Sequence, residues 1–596
     1  MAALKIENLI TDHLDLWSAA VRPKSSAGRG SNSKLELAGI KKLRELILEL
    51  AVRGKLVPQD PSDEPASVLL ERIAAEKARL VKEKKIKKEK PLPAISEDEK
   101  PFELPKGWEW CRFEDIVDIQ SGITKGRKLT NRVLTTVPYL SVANVQRGYV
   151  DVTGIKSVEL PVDEVEKYQV LTGDLLITEG GDWDKVGRTA IWADEMPYVA
   201  HQNHVFKARK FLQEQDESWL EMFLNGPSAR DYFAGSSKQT TNLASINKTQ
   251  LRGCLIAIPP KNEKSCIVAK VDELMTLCDQ LEQYSESQLA AHQTLVETLL
   301  ATLTDSSDAD ELAQNWARLS THFDTLFTTE ASIDALKQTI LQLAVMGKLV
   351  PQDPSDEPAS ALLERIAAEK AQLVKEKKIK KEKPLPAIGE NEKPFELPQG
   401  WEWCRFSNLS TEVATGPFGS MISASEYISD GIPLINPSHM VNGKIIEDKE
   451  ITVSMSKANQ LDGYRIKSGD VVMARRGEMG RCALVTERES NWLCGTGSFV
   501  LKFSAEVNRQ YILLMFQSKW VRGYLSGSSV GSTMVNLNHG ILNKLPIMLP
   551  PPQEQSRVIL MVDRLMALCD QLKSRLQTSQ QTQLVLAESL VEGALA

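Results

Sequence analysis

The sequence lacks any stretch that could cross a membrane. No run in its 596 residues approaches the roughly 18 consecutive apolar residues that a bilayer requires. Residues 1–17 also lack the apolar core of a secretory signal. The eight cysteines show no Cys-x-x-Cys spacing, which argues against a zinc or disulfide framework and predicts buried, reduced thiols. Together these absences predict a cytoplasmic protein.

Catalytic motifs are missing too. The sequence has neither the Gly-x-x-x-x-Gly-Lys-Ser/Thr of a phosphate-binding loop nor a Gly-x-Gly-x-x-Gly fingerprint. The nearest approach to the Asn/Asp-Pro-Pro-Tyr/Phe tetrapeptide of adenine methylation is Asn436-Pro437-Ser438, which lacks the second proline and the aromatic residue. No pattern combines a nucleophile, a base and an orienting group. We therefore predict a non-catalytic chain with no cofactor or metal of its own.

Two short residue clusters and the overall charge give little support to any particular catalytic or binding function. His201 and His204 could supply at most two metal ligands, so a structural role is favoured. Asp182, Asp184 and Lys185 faintly suggest a nuclease, but the corresponding stretch of the second half does not repeat them. The net charge of −7 gives no support of its own to nucleic-acid binding, for which basic domains are typical.

The chain contains one long segment twice. Residues 47–113 recur at 340–406 with roughly 60 of 67 positions identical, and residues 258–282 recur more loosely at 549–573. Between these repeated parts lie two inserts, 107–257 and 400–548, of almost equal length and almost unrelated sequence. This pattern predicts two modules of one fold with different binding preferences, carried by a frame that suits identical partners.

The local patterns predict an α+β protein. Helices are expected from residue 35 to near 54, over 66–88, over 311–327, and in two long amphipathic stretches, 263–303 and 554–590. Short strands are expected in the first insert at 137–142, 175–178, 189–192 and 204–208, with a helix near 217–224. Each long amphipathic helix needs a partner, so we expect the two to pack together as an antiparallel coiled coil and to hold the inserts apart.

Sequence boundaries divide the chain into seven parts. These are an N-terminal helix and linker (1–34), a helical frame (35–106), a first insert module (107–260), a long helix (261–304), a second helical frame (305–399), a second insert module (400–551) and a final long helix (552–596).

The inserts share two sparse motifs. Residues 173–191 and 469–485 both read as a strand, a Gly-rich turn, Gly-Arg and a second strand, and Asn247 falls on Asn538 near the insert ends. Loops of this kind present donors to base edges and phosphates, although each residue could equally serve a hairpin turn. The candidate DNA contacts are Lys125, Arg127, Lys128, Arg188, Lys238, Asn242 and Asn247 in the first insert, and Ser420, Arg475, Arg476, Arg481, Asn536 and Asn538 in the second.

The repeated frame, the Gly-Asp…Gly-Arg motif and the Pro-Pro entries to the long helices (258–268 and 549–559) resemble the specificity subunit of type I restriction–modification systems. The resemblance covers nearly the whole chain. It implies that each insert reads one half of a bipartite, asymmetric double-stranded DNA site and that the long helices set the spacing. It also implies that the frames dock two methyltransferase subunits, that restriction subunits join this complex, and that S-adenosylmethionine, ATP and Mg²⁺ belong to those partners.

Two other functions stay open at this point. A scaffold with two inserts that bind two different proteins would fit the acidic balance, although the resemblance disfavours it. A fused restriction and modification enzyme would need the intact methylation tetrapeptide that this sequence lacks.

Overall fold

The computed structural model describes residues 6–23, 35–124, 126, 129, 132–181, 185–236, 238–240, 243–381, 383–527 and 537–595. The chain forms two compact units, Met1–Ser287 with Ser579–Ala596, and Gln288–Thr578. Two long helices, Lys261–Asp305 and Pro552–Leu595, each run from one unit into the other. No helix among the described residues is both long and apolar enough to span a membrane.

The first unit begins with helices and continues as a mixed α/β region. Its helices are α1 (Ile6–Thr11), α2 (Leu14–Ala19), α3 (Ala38–Val52), α4 (Ala66–Lys82), α5 (Phe113–Ile116), α6 (Val165–Tyr168), α7 (Glu217–Asn225), α8 (Pro227–Ser236) and α9 (Lys248–Gly253). Its strands are β1 (Arg22–Pro23), β2 (Leu35–Glu36), β3 (Glu109–Arg112), β4 (Val117–Gln120), β5 (Leu134–Leu140), β6 (Lys156–Pro161), β7 (Leu175–Thr178), β8 (Gly180–Gly181), β9 (Thr189–Ile191), β10 (Ala200–His201), β11 (Val205–Lys210), β12 (Lys238–Thr240), β13 (Leu243–Ser245) and β14 (Leu255–Ile258).

The second half of the chain repeats much of this order. Its helices are α10 (Lys261–Asp305), α11 (Ala309–Thr321), α12 (Phe323–Leu326), α13 (Glu330–Val345), α14 (Ala359–Lys375), α15 (Phe406–Leu409), α16 (Met455–Gln460), α17 (Arg509–Gln517), α18 (Lys519–Gly527), α19 (His539–Lys544) and α20 (Pro552–Leu595). Its strands are β15 (Glu402–Arg405), β16 (Ser410–Thr415), β17 (Tyr427–Ile428), β18 (Ile432–Ile435), β19 (Met440–Val441), β20 (Lys444–Ile445), β21 (Thr452–Val453), β22 (Val471–Ala474), β23 (Cys482–Leu484), β24 (Leu493–Cys494), β25 (Ser498–Phe503) and β26 (Pro546–Leu549).

A four-stranded antiparallel sheet forms the centre of each insert. The strand order is β4-β11-β7-β9 in the first unit and β16-β25-β22-β23 in the second. The central strands β7 and β22 are buried along their whole length, as expected for short apolar runs. The sheets beside this centre differ: the first unit has the three-stranded sheet β10-β5-β6, and the second has the four-stranded sheet β17-β21-β18-β24. The common centre thus carries unlike outer parts.

Each insert leaves its frame and returns to it at one place. Strand β3, at the end of the repeated segment 47–113, pairs antiparallel with β14, which immediately precedes α10, and β15 pairs in the same way with β26 before α20. A buried glutamate near the start of each long helix accepts a hydrogen bond from a tryptophan of the repeated segment: Trp108 Nε1 donates to Glu263 at 3.1 Å, and Trp401 Nε1 donates to Glu554 at 3.0 Å. The two strands and the tryptophan fix the base of each module.

Most of the predicted elements are present, with two corrections. The helix predicted over 66–88 ends at Lys82, because Lys84 adopts a left-handed backbone (φ 56°) and the Lys85 amide donates back to the Leu80 carbonyl at 3.0 Å. Such a left-handed residue stops a helix. The helix predicted over 311–327 is interrupted at His322, between α11 and α12.

The cysteines follow the prediction with one exception. Seven of the eight are buried and Cys266 is exposed, and all eight are free thiols. Burial raises the pKa of Cys482 to about 12. These buried thiols therefore stay protonated and serve as small core residues.

Candidate nucleic-acid interface

The shared Gly-Arg motif forms a hairpin in the first unit. Strands β7 and β9 pair antiparallel, and Gly187 (φ 69°) lies in the turn before β9. A Cβ added at Gly187 would lie 2.4 Å from the Phe233 ring, so only glycine fits this close approach. Arg188 follows and is half-buried. Its Nη1 donates to the Gln146 side chain at 2.8 Å, while its backbone N–H donates to the Thr178 hydroxyl at 3.0 Å.

The second unit repeats the hairpin with more charge. Strands β22 and β23 flank a turn in which Gly477 and Gly480 have left-handed φ angles of 80° and 81°. Arg481, the counterpart of Arg188, is committed to an ion pair with Glu478 (Nε to Oε2, 3.0 Å), and Arg522 joins the same carboxylate at 3.1 Å. The hydrogen bond from Arg481 is the largest cause that lowers the pKa of Glu478.

Arg475 sits at the centre of a polar cluster on the second insert. Its guanidinium lies 4.9 Å above the centre of the buried Phe499 ring, and its Nε donates to the Leu537 carbonyl at 3.4 Å. His539 packs on the same ring with centroids 5.2 Å apart and contacts the Thr415 hydroxyl through Nε2 at 2.8 Å. Burial, and then the charge of Arg476, lower the pKa of Arg475. The guanidinium is nevertheless cationic at neutral pH, because the ordinary pKa of arginine is very high.

Asn247 and Asn538 are helix N-caps. The Asn247 side chain accepts from the Gln250 amide at 2.9 Å, and Gln250 returns a bond to the Asn247 amide at 2.7 Å. Asn538 accepts from the Ile541 amide at 3.0 Å. Each side-chain oxygen is therefore used to start a short helix, α9 or α19. The sequence motif allowed either a structural role or a DNA contact for these asparagines, and helix capping is such a structural role.

The other predicted contacts are placed as follows. Lys125, Arg127, Lys128, Asn242 and Asn536 lie outside the described residues. Lys238 begins β12 and pairs with Ser245 in the backbone ladder. Ser420 is exposed in a short 3-10 helix, Gly419–Met421, next to the 68% exposed Phe418. Arg476 is exposed beside Arg475. Arg475 and Asn538 are brought together, because Leu537 contacts the first and precedes the second.

The two histidines considered as metal ligands have separate roles. His201 is fully buried, and its Nδ1 lies 2.7 Å from the Val205 carbonyl. Burial lowers the pKa of His201 to about 3, so its ring is neutral. His204 is exposed and pairs with Glu179. The described part of the chain contains no group of three or more His, Cys, Asp or Glu side chains that could hold a metal ion. Asp182 and Asp184 lie outside the described residues.

Sequence reasoning missed two contacts at the candidate surface. The pair Glu179–His204 and the pair Thr415–His539 each join residues that are far apart along the chain. One signal was available: an alignment of the two Gly-Asp…Gly-Arg motifs places Glu179 opposite Arg475. A change from acid to base inside an otherwise shared motif marks a position whose side chain is free to vary.

Comparison with known proteins adds the family. The family model described as Type I restriction modification DNA specificity domain matches residues 105–291 and 412–579. The chain is 44% identical to the type I restriction enzyme EcoEI specificity subunit of Escherichia coli, over 99% of this chain and 100% of that relative. It is 42% identical to the EcoAI specificity subunit of the same organism, with the same two shares.

Solved structures match more weakly. A chain from "Structural basis underlying complex assembly and conformational transition of the type I R-M system" is 16% identical, with a TM-score of 0.48, and the match covers 83% of this chain and 99% of that one.

Proposed function

The chain belongs to the type I restriction modification DNA specificity domain family, and from that premise we propose that it is the non-catalytic DNA-recognition subunit of such a complex. Each module, 107–260 and 400–551, reads one half of a bipartite, asymmetric site in double-stranded DNA. The observation that carries this proposal is the double match of the family model, with one match in each half of the chain.

The second insert offers suitable chemistry for this task. Arg475 is held on an aromatic face and Arg476 is exposed beside it, so one cation has a fixed orientation while the other is open to solvent. A fixed guanidinium suits the acceptor edge of guanine in the major groove, whereas a solvated one suits a phosphate. The exposed Phe418 and Ser420 lie in the loop that follows Thr415, whose hydroxyl contacts His539 in the same cluster.

The frames support docking of two identical partners, which we assign to methyltransferase subunits. Each frame carries a groove between its last helix (α4 or α14) and the lysine- and proline-rich segment that follows, with volumes of ≈ 880 Å³ in the first unit and ≈ 900 Å³ in the second. Repeat mates line both grooves, among them Lys77 and Lys370, and Arg112 and Arg405. Two nearly identical surfaces on one chain fit two copies of one partner. Restriction subunits would join this complex, and S-adenosylmethionine, ATP and Mg²⁺ would be bound by the partners.

The long helices fit the role of a spacer. Helices α10 and α20 contain 45 and 44 residues, so each is about 66 Å long at 1.5 Å per residue. We assign them to an antiparallel coiled coil that fixes the distance between the half-sites. Both also carry large apolar side chains that are exposed in this chain alone, including Leu277, Leu295, Leu560 and Leu568. Exposed apolar side chains of this kind suit a partner surface, so the chain should need its methyltransferase for solubility.

The decisive experiment is co-expression with the methyltransferase subunit, followed by mapping of methylated adenines across a host genome. The expected result is a single bipartite motif with a fixed gap. A chimera that exchanges only residues 107–260 for those of a relative should change one half of the motif and leave the other half and the gap intact. A well-formed complex that methylates no defined motif would contradict the proposal and favour the two-headed scaffold.

A further inference from the structure

Glu179 and Arg475 occupy the same position in the two inserts. Each follows the last residue of a central strand, β7 or β22. Its backbone N–H donates to the residue that precedes the paired strand, β11 or β25: Glu179 donates to the His204 carbonyl at 2.9 Å, and Arg475 to the Gly497 carbonyl at 2.8 Å. The carbonyls of Glu179 and Arg475 themselves accept from the residue before the capping asparagine: Glu179 from the Ile246 amide at 2.9 Å, and Arg475 from the Leu537 amide at 3.0 Å. These matched backbone contacts place both side chains at one point of a common scaffold.

The side chains at this point have opposite charge and different support. Glu179 Oε2 lies 2.6 Å from His204 Nδ1, with the carboxylate 28% exposed and the imidazole 53% exposed. In the second unit Gly497 replaces His204, and Arg475 instead rests on Phe499 at 4.9 Å. The first insert therefore presents a partly exposed acceptor where the second presents a donor.

The acidic side chain restricts what the first insert can meet there. An ionised carboxylate only accepts hydrogen bonds, and it repels a phosphate at close range. In the major groove it pairs with the exocyclic amino group of cytosine, whereas arginine pairs with O6 and N7 of guanine. The contact between His204 and one oxygen of Glu179 limits the rotation of the carboxylate. The direction from which the other oxygen can accept a hydrogen bond is therefore fixed.

We propose that Glu179, positioned by His204, selects a cytosine in the half-site read by the first insert; this proposal rests on the proposed function. Arg475 selects a guanine at the structurally equivalent place of the other half-site. The residue at this position therefore determines one recognised base in each half-site: an acidic side chain selects cytosine, and a basic side chain selects guanine.

The test uses the full chain in complex with its methyltransferase and reads the methylated motif by sequencing. Glu179→Gln keeps the size of the side chain but exchanges one acceptor oxygen for a donor. It should lower the preference for cytosine over other bases by about 10- to 100-fold at a single position of one half-site. Arg475→Lys, which loses the two-pronged donor, should relax a guanine in the other half-site by a similar factor. Glu195→Gln, at an exposed loop glutamate of the same insert, should change nothing.

The outcomes separate this inference from the proposed function. If the wild-type complex gives no bipartite motif, the proposed function fails and takes this inference with it. If the wild-type motif is bipartite but Glu179→Gln leaves every base preference intact, only the inference fails. Uniformly weaker methylation with an unchanged motif would also overturn it, because that result indicates a structural or phosphate role. Thermal unfolding of each purified complex confirms that the variants are folded.

Discussion

The central hairpin of each insert is held by the same backbone contacts but displays different side chains. In the first unit it presents Glu179 beside His204, and in the second it presents Arg475 above Phe499. Hydrogen bonds between backbone groups make no demand on side-chain identity, so the hairpin can keep its position while its exposed chemistry changes. The frame shows the opposite behaviour, since nearly every side chain is the same in both copies. The contrast assigns two tasks to different parts of the chain: the repeated frame positions each module, and the variable side chains of the insert determine what the module binds.

The two modules should differ most when one of them is unfolded and the other is left intact. Phe406 is fully buried and meets Phe503 and Phe516 at centroid distances of 5.8 and 5.9 Å. Phe406→Ala should cost about 3–5 kcal/mol, a large share of the stability of one domain. Limited proteolysis should then cut the second insert first, while the first stays intact.

The repeat mate provides the matched control for that experiment. Phe113 is equally buried at the same place in the first unit, so Phe113→Ala should make the first insert the sensitive one. If either substitution opens both inserts together, the two modules are not separable in stability.

A smaller effect is expected where each frame ties down its extended segment. Arg405 donates to the Pro386 carbonyl at 3.3 Å, to the Lys544 carbonyl at 2.7 Å and to Glu392. Arg405→Ala should cost about 2 kcal/mol, since several charge-assisted hydrogen bonds are lost at once. Hydrogen exchange should show faster exchange over residues 384–394.

Arg112 makes the corresponding contacts in the first unit, with Pro93, Gly253 and Glu99. Arg112→Ala should therefore have nearly the same effect on residues 91–101. A clear difference between the two variants would show that the near-identical frames are not mechanically equivalent. Arg405→Lys should fall between wild type and Arg405→Ala, because lysine keeps the charge without the planar set of donors.

The parts of this structure that could be predicted from the sequence are those set by local pattern. The frame helices, both long helices and the Gly-Arg hairpins follow from apolar periodicity and glycine placement, and the structure has them close to the expected bounds. The end of α4 was missed because a lysine, rather than a glycine, takes the left-handed turn. The partner of Glu179 could not be predicted, because His204 is brought to it by strand pairing across 25 residues.

Acidification should weaken both frames through the same type of carboxylate. Arg405, followed by the Gly389 amide, lowers the pKa of Glu392 to about 2, below its ordinary 4.5. A carboxylate with a lowered pKa in the folded state stabilises the fold above pH 4.5 and loses that contribution as the pH falls towards 2. The carboxylate is about one-third exposed, so the contribution should stay below about 1 kcal/mol.

The measurement is thermal unfolding of wild type and Glu392→Gln between pH 6 and pH 3. The variant should be less stable at pH 6 and should approach wild type at pH 3. Glu99, whose pKa is also lowered, first by the Ser96 amide and then by Arg112, should behave in the same sense in Glu99→Gln. A constant difference between wild type and Glu392→Gln across this range would rule out the linkage.

The smallest expected effect concerns a charge that only the second hairpin carries. Arg476 is exposed, while Gly180 stands at its place in the first unit, where an added Cβ would lie 2.8 Å from the Ala244 carbonyl. A solvated arginine that meets a phosphate adds affinity without base preference. Arg476→Ala should therefore weaken binding to all DNA sequences alike and reduce the slope of log affinity against log salt by about 1. Arg488→Ala, which removes a cation already paired with Glu447 at 2.5 Å, should leave that slope unchanged. If Arg476→Ala instead changed the recognised sequence, the division of labour between Arg475 and Arg476 would be wrong.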